Sequence, residues 1–347
     1  MPEPLISVVL PAHDQQGQLS SCLDSILDQS FGGFEVIVVT DPSPHCASEL
    51  SQAVDEPRVT VLRLNAAVGV GHSRNAGAAH ANGRYLLFLD SDHLVAPGAF
   101  LTLADRLREL EDSSAEPEAR QPDVLLFGHT RLQAGRIWPG AASALLAQAG
   151  PDAFGLSDHP ELLSAPAFAW DRLISRGLWS AASLAFPEGR YEEVPLVHHA
   201  MLTADRLAVL DRELVQLRRR ETVHPAGSPG SSHFDIFDQY ERSFALLDAR
   251  SEKSLHSALF IRMIRHYLFV FDLAGCVPRA VRPQFFHRAA EHYQRWVPDG
   301  FKRPGGREGV KFSLLAGGSY GAFELAKLSQ IARTAVTSRA GRRTDVA

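Results

Sequence analysis

Four short apolar runs recur in the first ninety residues, Ile6–Leu10, Phe34–Val39, Val59–Leu64 and Tyr85–Leu89, with helical stretches between them. Each run is rich in β-branched residues and shows little polar alternation, so both faces of such a strand must be covered, as in a parallel sheet. Leu19, Cys22, Leu23, Ile26 and Leu27 follow the spacing of one buried helix face. An alanine-rich stretch, 71–82, predicts a second helix, and 97–110 a third with proline in its first turn. Strand alternating with helix restricts this part of the chain to an open, doubly wound α/β sheet.

A further strand is expected at 123–127, then a Gly/Ala/Pro-rich loop over 139–166 with at most short helices; its length points to a functional role. Runs at 206–210 and 214–218 predict two closing strands. After "HPAGSPGSS" (224–232) the pattern is helical only, punctuated by Pro278, Pro283, Pro298 and Pro304. The expectation is an α/β domain over 1–226 and an all-α domain over 227–347.

Hydrophobic residues make up 45% and charged residues 22%, the balance of a soluble globular protein, and no apolar run nears the roughly 20 residues that span a bilayer. The N-terminus lacks signal-peptide features, and three dispersed cysteines form neither a disulfide framework nor a metal knuckle. A cytoplasmic location is expected, with no nucleic-acid partner. The net charge of −5 is uneven: from Lys302 onward nine basic residues face three acidic ones, leaving about −11 on the rest. Such a tail reads either as a solvated helix face or as a peripheral contact with anionic lipid at the inner membrane face.

Ligands of open α/β sheets bind outside the carboxyl ends of the strands. Two predicted strands end in aspartate there, at Asp41 in "VVTDPS" and at Asp90 in "YLLFLDSDH". In an extended Asp-x-Asp the period of two turns Asp90 and Asp92 to one side. Two carboxylates suit Mn²⁺ or Mg²⁺, which bind phosphates as further ligands, so the pattern points to a nucleotide diphosphate. Acidic residues in a turn after a strand are the plainer alternative.

The segment "GVGHSRNAGAAHANGRYLLFLDSD" (69–92) closely resembles the signature of family 2 glycosyltransferases, which have the GT-A fold, and "ISVVLPAHDQQGQLSSCLDSILDQSFGGFEVIVVTDPS" resembles that family's opening strand, helix and strand. The resemblance implies a GT-A domain that moves a sugar from a nucleotide-sugar, UDP-linked by preference, to a hydroxyl on a polymer or lipid-linked acceptor. It implies that Pro11 and Asp41 line the base pocket, that Arg74 and Ser91 lie against the donor, and that Asn75 and Gly77 hold a helix start. Asp90 then meets the ribose or the metal, and Asp92 coordinates the metal. The chain departs from the family at His13-Asp14 and at Thr40-Asp41-Pro42-Ser43-Pro44, which bears on the base recognised.

"FPEGRYEEVPLVHHAML" (186–202) is similar to the family segment whose last aspartate is the catalytic base; Glu193 stands in its place here. A carboxylate desolvated beside another carboxylate has a raised pKa, which suits a base near neutrality. Helix first-turn acids are the alternative for Glu192-Glu193. "ELVQLRRRET" (213–222) resembles the strand that follows, putting Arg218 and Arg220 on one face toward the diphosphate, or else on a charged edge. "AWDRLISRGLW" (169–179) resembles an acceptor-side helix. His198 and His199 are adjacent on a helix and make a poor metal pair, whereas His224 could close over a metal.

The helical segment resembles the region after the transferase domain in actinobacterial enzymes that build polyol-phosphate, teichoic-acid-like wall polymers. Phe323, Leu325, Leu328, Ala332 and Ala335 are expected to form one packed face of a last helix. A nicotinamide oxidoreductase would need Gly-x-Gly-x-x-Gly after the first strand, where "PAHDQQG" stands instead. The remaining alternative is a non-catalytic binding protein that has kept the fold.

Overall fold

The structure, a computed structural model, describes residues 3–12, 18–42, 56–113, 121–133, 135–218, 231–248, 253–273 and 275–327. The strands are β1 (Ile6–Ala12), β2 (Phe34–Thr40), β3 (Val59–Arg63), β4 (Tyr85–Phe88), β5 (His93–Val95), β6 (Val124–Gln133), β7 (Arg136–Pro139), β8 (Arg172–Ser175) and β9 (Leu207–Arg218). They form one mixed sheet in the order β3-β2-β1-β4-β8-β6-β9-β5, with β7 paired to β6. The first half is parallel, β1 lying between β2 and β4. Every residue of β1 is buried, which is why its sequence is continuously apolar.

β4 and β5 are neighbours in the chain but stand four strand steps apart in the sheet. A flat sheet would separate them by about 19 Å, while the link from residue 88 to 93 reaches about 17 Å even fully extended. That link contains a turn, so the sheet has to curl into a half-barrel. The residues that force the curl are Leu89 to Asp92, and the two aspartates therefore sit where its ends approach.

The helices are α1 (Leu19–Leu27), α2 (Val70–Ala79), α3 (Ala99–Ser113), the short α4 (Ser143–Leu146), α5 (Arg176–Ala181), α6 (Glu193–Thr203), α7 (Asp235–Asp248), α8 (Lys253–Asp272), α9 (Arg282–Trp296) and α10 (Gly306–Ala316). α1 buries Leu19, Cys22, Leu23 and Ile26, four of the five residues its spacing marked. This is the GT-A-type α/β architecture, followed after residue 231 by helices alone among the described residues.

Two local expectations change, and the strand β5 was not anticipated. The stretch 169–179 is not one helix: Arg172–Ser175 is a strand wedged between β4 and β6, and the helix starts at Arg176 with Ser175 as its cap. Pairing on both edges outweighs the helical spacing of Leu173, Ile174 and Leu178. The strands expected at 206–210 and 214–218 are one strand, bulged opposite Phe127–His129. β5 is too short, at three residues, to show a pattern.

Contacts divide the chain into two compact units, one of residues 1–225 and 238–262, the other of 226–237 and 263–347. The second unit has an aromatic core, in which Phe237 meets Phe285 at 4.9 Å and Phe286 meets Phe323 at 5.1 Å. Of the basic tail, Lys311 and Lys327 both bind Asp272, at 2.7 and 2.8 Å. Phe323 is buried but Leu325 is exposed, so the expected packed face is not continuous; Leu328, Ala332 and Ala335 lie outside the described residues. No helix of the described residues is long and apolar enough to cross a membrane.

α2 rides unusually close to the sheet. A methyl group at Gly77 would run into the Val9 side chain and lie 3.0 Å from Cγ2 of Val39. Gly77→Ala is therefore expected to lower stability by about 1–3 kcal/mol through overpacking, despite alanine's better helix propensity. Denaturant melts check this; a stability gain would show that α2 can lift off freely.

Candidate active site

Arg74 lies one turn before Gly77 and Ala78, on the helix face that meets the sheet. That close approach carries a guanidinium to the carboxyl edge of β4 and buries it to 2% exposure. Its Nη2 donates to Asp90 at 2.6 Å and contacts Glu193 at 2.9 Å, and its Nη1 donates to Glu192 at 2.8 Å. The aromatic ring of Phe186 lies under it, 5.1 Å from the guanidinium carbon. Burial alone would make Arg74 easier to deprotonate, but the carboxylates of Asp90, Glu193 and Glu192 outweigh it and hold the cation firmly.

The two glutamates are delivered by a turn with unusual backbone. Gly189 has φ 94° and Tyr191 φ 63°, a left-handed conformation that few non-glycine residues adopt. The turn is pinned to α2 by Asn75, whose side-chain amide donates to the Phe186 carbonyl and accepts its N–H, both at 2.8 Å. Asn75 thus holds the helix of Arg74 and the entry to α6 at one fixed spacing. The other oxygen of Glu193 accepts the Ala169 backbone N–H at 3.1 Å. Burial is the main cause that raises the pKa of Glu193, with Asp90 and Glu192 adding to it against Arg74, and it reaches about 7. Glu192 shifts upward as well, first through burial.

On the opposite side stands the Asp90–His93 turn. Burial, then the neighbouring Asp90, raises the pKa of Asp92, with His93 and Arg218 acting in the opposite direction. Nε2 of His93 lies 3.6 Å from Asp92 and 4.0 Å from Asp90. Burial holds His93 below its ordinary pKa. Arg218 anchors the turn by donating its backbone N–H to the Asp92 carbonyl at 3.3 Å, while its Nε and Nη2 are buried without a hydrogen-bond partner among the described residues. When all four carboxylates are ionised, the two guanidiniums leave an excess of two negative charges in the cleft.

That excess, and the hard oxygens of Asp90 and Asp92, fit a divalent cation such as Mg²⁺ or Mn²⁺. Potential ligand atoms of Asp90, Asp92 and His93 lie within 4.8 Å of one another.

Asp41 follows β2 and Pro11 lies in β1, at adjacent ends of parallel strands where Ala12 pairs with Thr40. Both share the carboxyl edge with Asp90; Asp41 is separated from it by β1, a lateral step of about 10 Å. Ser91 is buried within the acidic turn. Arg220 and His224 lie outside the described residues. His198 is buried and paired with Ser243 at 2.9 Å, whereas His199 is partly exposed, as expected of neighbours facing apart.

Sequence reasoning missed several members. Glu192 was read as the carboxylate beside Glu193 but not as a partner of Arg74, and the Ala169 N–H carries no sequence signal. The pinning of residue 186 by Asn75 spans 111 positions. His93 was visible only as the residue after the acidic pair.

Residues 7–158 match the family model described as Glycosyl transferase family 2. The chain is 27% identical over 217 residues to "Uncharacterized glycosyltransferase EpsJ" of Bacillus subtilis (strain 168), covering 61% of this chain and 60% of that protein. It is 35% identical over 107 residues to "Succinoglycan biosynthesis protein ExoO" of Rhizobium meliloti (strain 1021), covering 31% of this chain and 29% of that one. Both alignments stop short of two thirds of the relative's length. Among solved structures, S. aureus TarS 1–349 in complex with UDP-GlcNAc superposes with a TM-score of 0.66 at 22% identity, covering 84% of this chain and 81% of that one, a likeness of fold. The motif-bearing sheet edge, the family match and the shared architecture agree: the N-terminal segment, residues 7–158, is similar to glycosyl transferase family 2, on a fold like that of TarS.

Proposed function

We propose that the protein is an inverting, metal-assisted glycosyltransferase that moves a sugar from a nucleotide-sugar, UDP-linked by preference, to a hydroxyl acceptor of a surface polysaccharide or wall glycopolymer. The observation that carries this reading is the shared nitrogen of Arg74. It binds Asp90 at 2.6 Å and Glu193 at 2.9 Å, so those carboxylate oxygens lie no more than 5.5 Å apart. One buried cation thereby fixes a phosphate-side acid and a base with a raised pKa within the reach of one sugar ring.

In this mechanism Pro11 and Asp41 receive the nucleotide base, and Ser91 and the acidic turn receive ribose and diphosphate. Glu193 takes the proton of the acceptor hydroxyl, whose oxygen bonds to the anomeric carbon from the face opposite the departing diphosphate. The bond from that carbon to the phosphate oxygen breaks, and the configuration inverts. Asp90 and Asp92 would hold Mn²⁺ or Mg²⁺, which supplies charge neutralisation to the leaving diphosphate. The guanidinium of Arg218, with unused buried donors beside Asp92, is placed to share that charge, and Arg220 is assigned the same task.

The reading draws support from the UDP-GlcNAc complex of TarS and from the names of ExoO and of "Putative teichuronic acid biosynthesis glycosyltransferase TuaG" of Bacillus subtilis (strain 168), 34% identical over 92 residues. It assigns the chemistry to a domain of residues 1–226, working on the cytoplasmic side, with the helical remainder and its basic tail facing the membrane or the polymer.

Calorimetry with UDP-, GDP- and CDP-sugars, in Mn²⁺ and then in EDTA, tests it. One UDP-sugar should bind in Mn²⁺ and lose at least about tenfold in affinity when the metal is removed. Binding indifferent to the metal, or no binding of any nucleotide-sugar, leaves only a non-catalytic protein of the same fold.

A further inference from the structure

We propose that His93 is a positioning residue for the Asp90–Asp92 pair, presenting an Nε2–H to both carboxylates, and is not a third metal ligand. The inference rests on the metal-assisted reading above and specifies how that site is built.

Three side chains could in principle hold a cation here, and on distance alone His93 belongs with the aspartates. Its other ring nitrogen decides against this. The backbone N–H of Asp90 donates to Nδ1 of His93 at 3.1 Å. A backbone amide can only donate, so Nδ1 presents its lone pair and a neutral ring carries its proton on Nε2. Nε2 itself lies 3.6 Å from a carboxylate oxygen of Asp92 and 4.0 Å from one of Asp90.

For Nε2 to bind a metal, the proton would have to move to Nδ1, where it would meet the Asp90 N–H head on. Two donors would then face each other in a site with 1% exposure, and the loss of a buried hydrogen bond would follow.

The ring has little freedom to escape this arrangement. Trp170 packs on it at 4.6 Å between ring centroids, and the same indole meets His129 at 4.5 Å. The strand beneath is fixed by pairing of His93 with Leu217 in β9. The one hydrogen bond therefore ties the direction of the Nε2–H to the backbone of the acidic turn itself. What remains for a cation is oxygen from Asp90 and Asp92. This favours Mg²⁺ or Mn²⁺ over Zn²⁺, which a histidine ligand would suit.

The test uses the full chain labelled with ¹⁵N-histidine. Long-range ¹H–¹⁵N spectra should show the Nε2–H form of His93, unchanged when Mg²⁺ and UDP are added. An Nδ1–H form, before or after metal, overturns the proposal.

Mn²⁺ binding in the presence of UDP, followed by electron paramagnetic resonance, supplies the second readout. His93→Gln places an amide near the Nε2 position and should bind Mn²⁺ within about threefold of wild type. His93→Asn places it near Nδ1 and should weaken binding by about 10–100-fold, the usual range for a group that orients a metal ligand. Equal, larger losses in both variants, with intact thermal melts, would make His93 a ligand after all. Wild-type protein that binds no Mn²⁺ with UDP sinks the functional reading and this role together, whereas the Nδ1–H form sinks this role alone.

Discussion

Glu193→Gln is expected to lower turnover by about two to four orders of magnitude while changing nucleotide-sugar affinity only a few-fold. Glutamine fills the same volume and can still accept from Arg74, so the fold should hold; what it cannot do is take a proton. Measuring kcat by single-turnover transfer and donor affinity by calorimetry separates the two. Full turnover in the variant would remove Glu193 from the chemistry.

The pH profile gives an independent check on the same residue. The active form is the carboxylate, and burial lifts its pKa to about 7. Wild-type kcat/KM should therefore fall as pH drops through that region and level off above it. The apparent pKa belongs to the pair of glutamates rather than to one of them. Glu192→Gln removes a like charge, so the limb should move to lower pH.

The second large effect is on Arg74. Removing it in Arg74→Met leaves Glu192 and Glu193, with side-chain exposures of 9% and 17%, facing Asp90 without the cation that bridged them. Breaking a buried pair in this way typically costs about 3–5 kcal/mol. The sign of the pH dependence is diagnostic. In the variant the acids can only be relieved by taking up protons, so the folded state binds more protons than the unfolded one and stability falls as pH rises. Thermal melts at pH 6 and pH 8 should show the larger loss at pH 8. Arg74→Lys should recover part of the stability, because one ammonium replaces the charge but not the fork that reaches three carboxylates. Melts of Arg74→Met that match wild type at both pH values would mean the three acids are solvated, and the site as described would not exist.

The parts legible in advance were those whose cause is local. Continuous burial of β1 and the single apolar stripe of α1 are written in period two and period 3.6. Gly77 and Arg74 were likewise visible in one motif, although only packing explains them together: the missing side chain at one brings the helix down, and the charge three residues earlier is carried into the sheet edge.

β8 was misread because its pairing partners, β4 and β6, lie far away in the chain. β5 escaped because three residues carry no period.

By itself the sequence determined the strand–helix alternation and the acids at the ends of two strands, since each depends on neighbours within a few residues; the candidate base came from the family resemblance. Only the tertiary structure decided that Arg74 would bridge Asp90 to Glu192 and Glu193. It also decided that Asn75 would lock Phe186, and that Nδ1 of His93 would accept the Asp90 N–H. The physical reason is that charge pairing and hydrogen-bond direction act across space, between segments separated by a hundred residues. Nothing in the local pattern of either segment records which partner the curl of the sheet will bring to it.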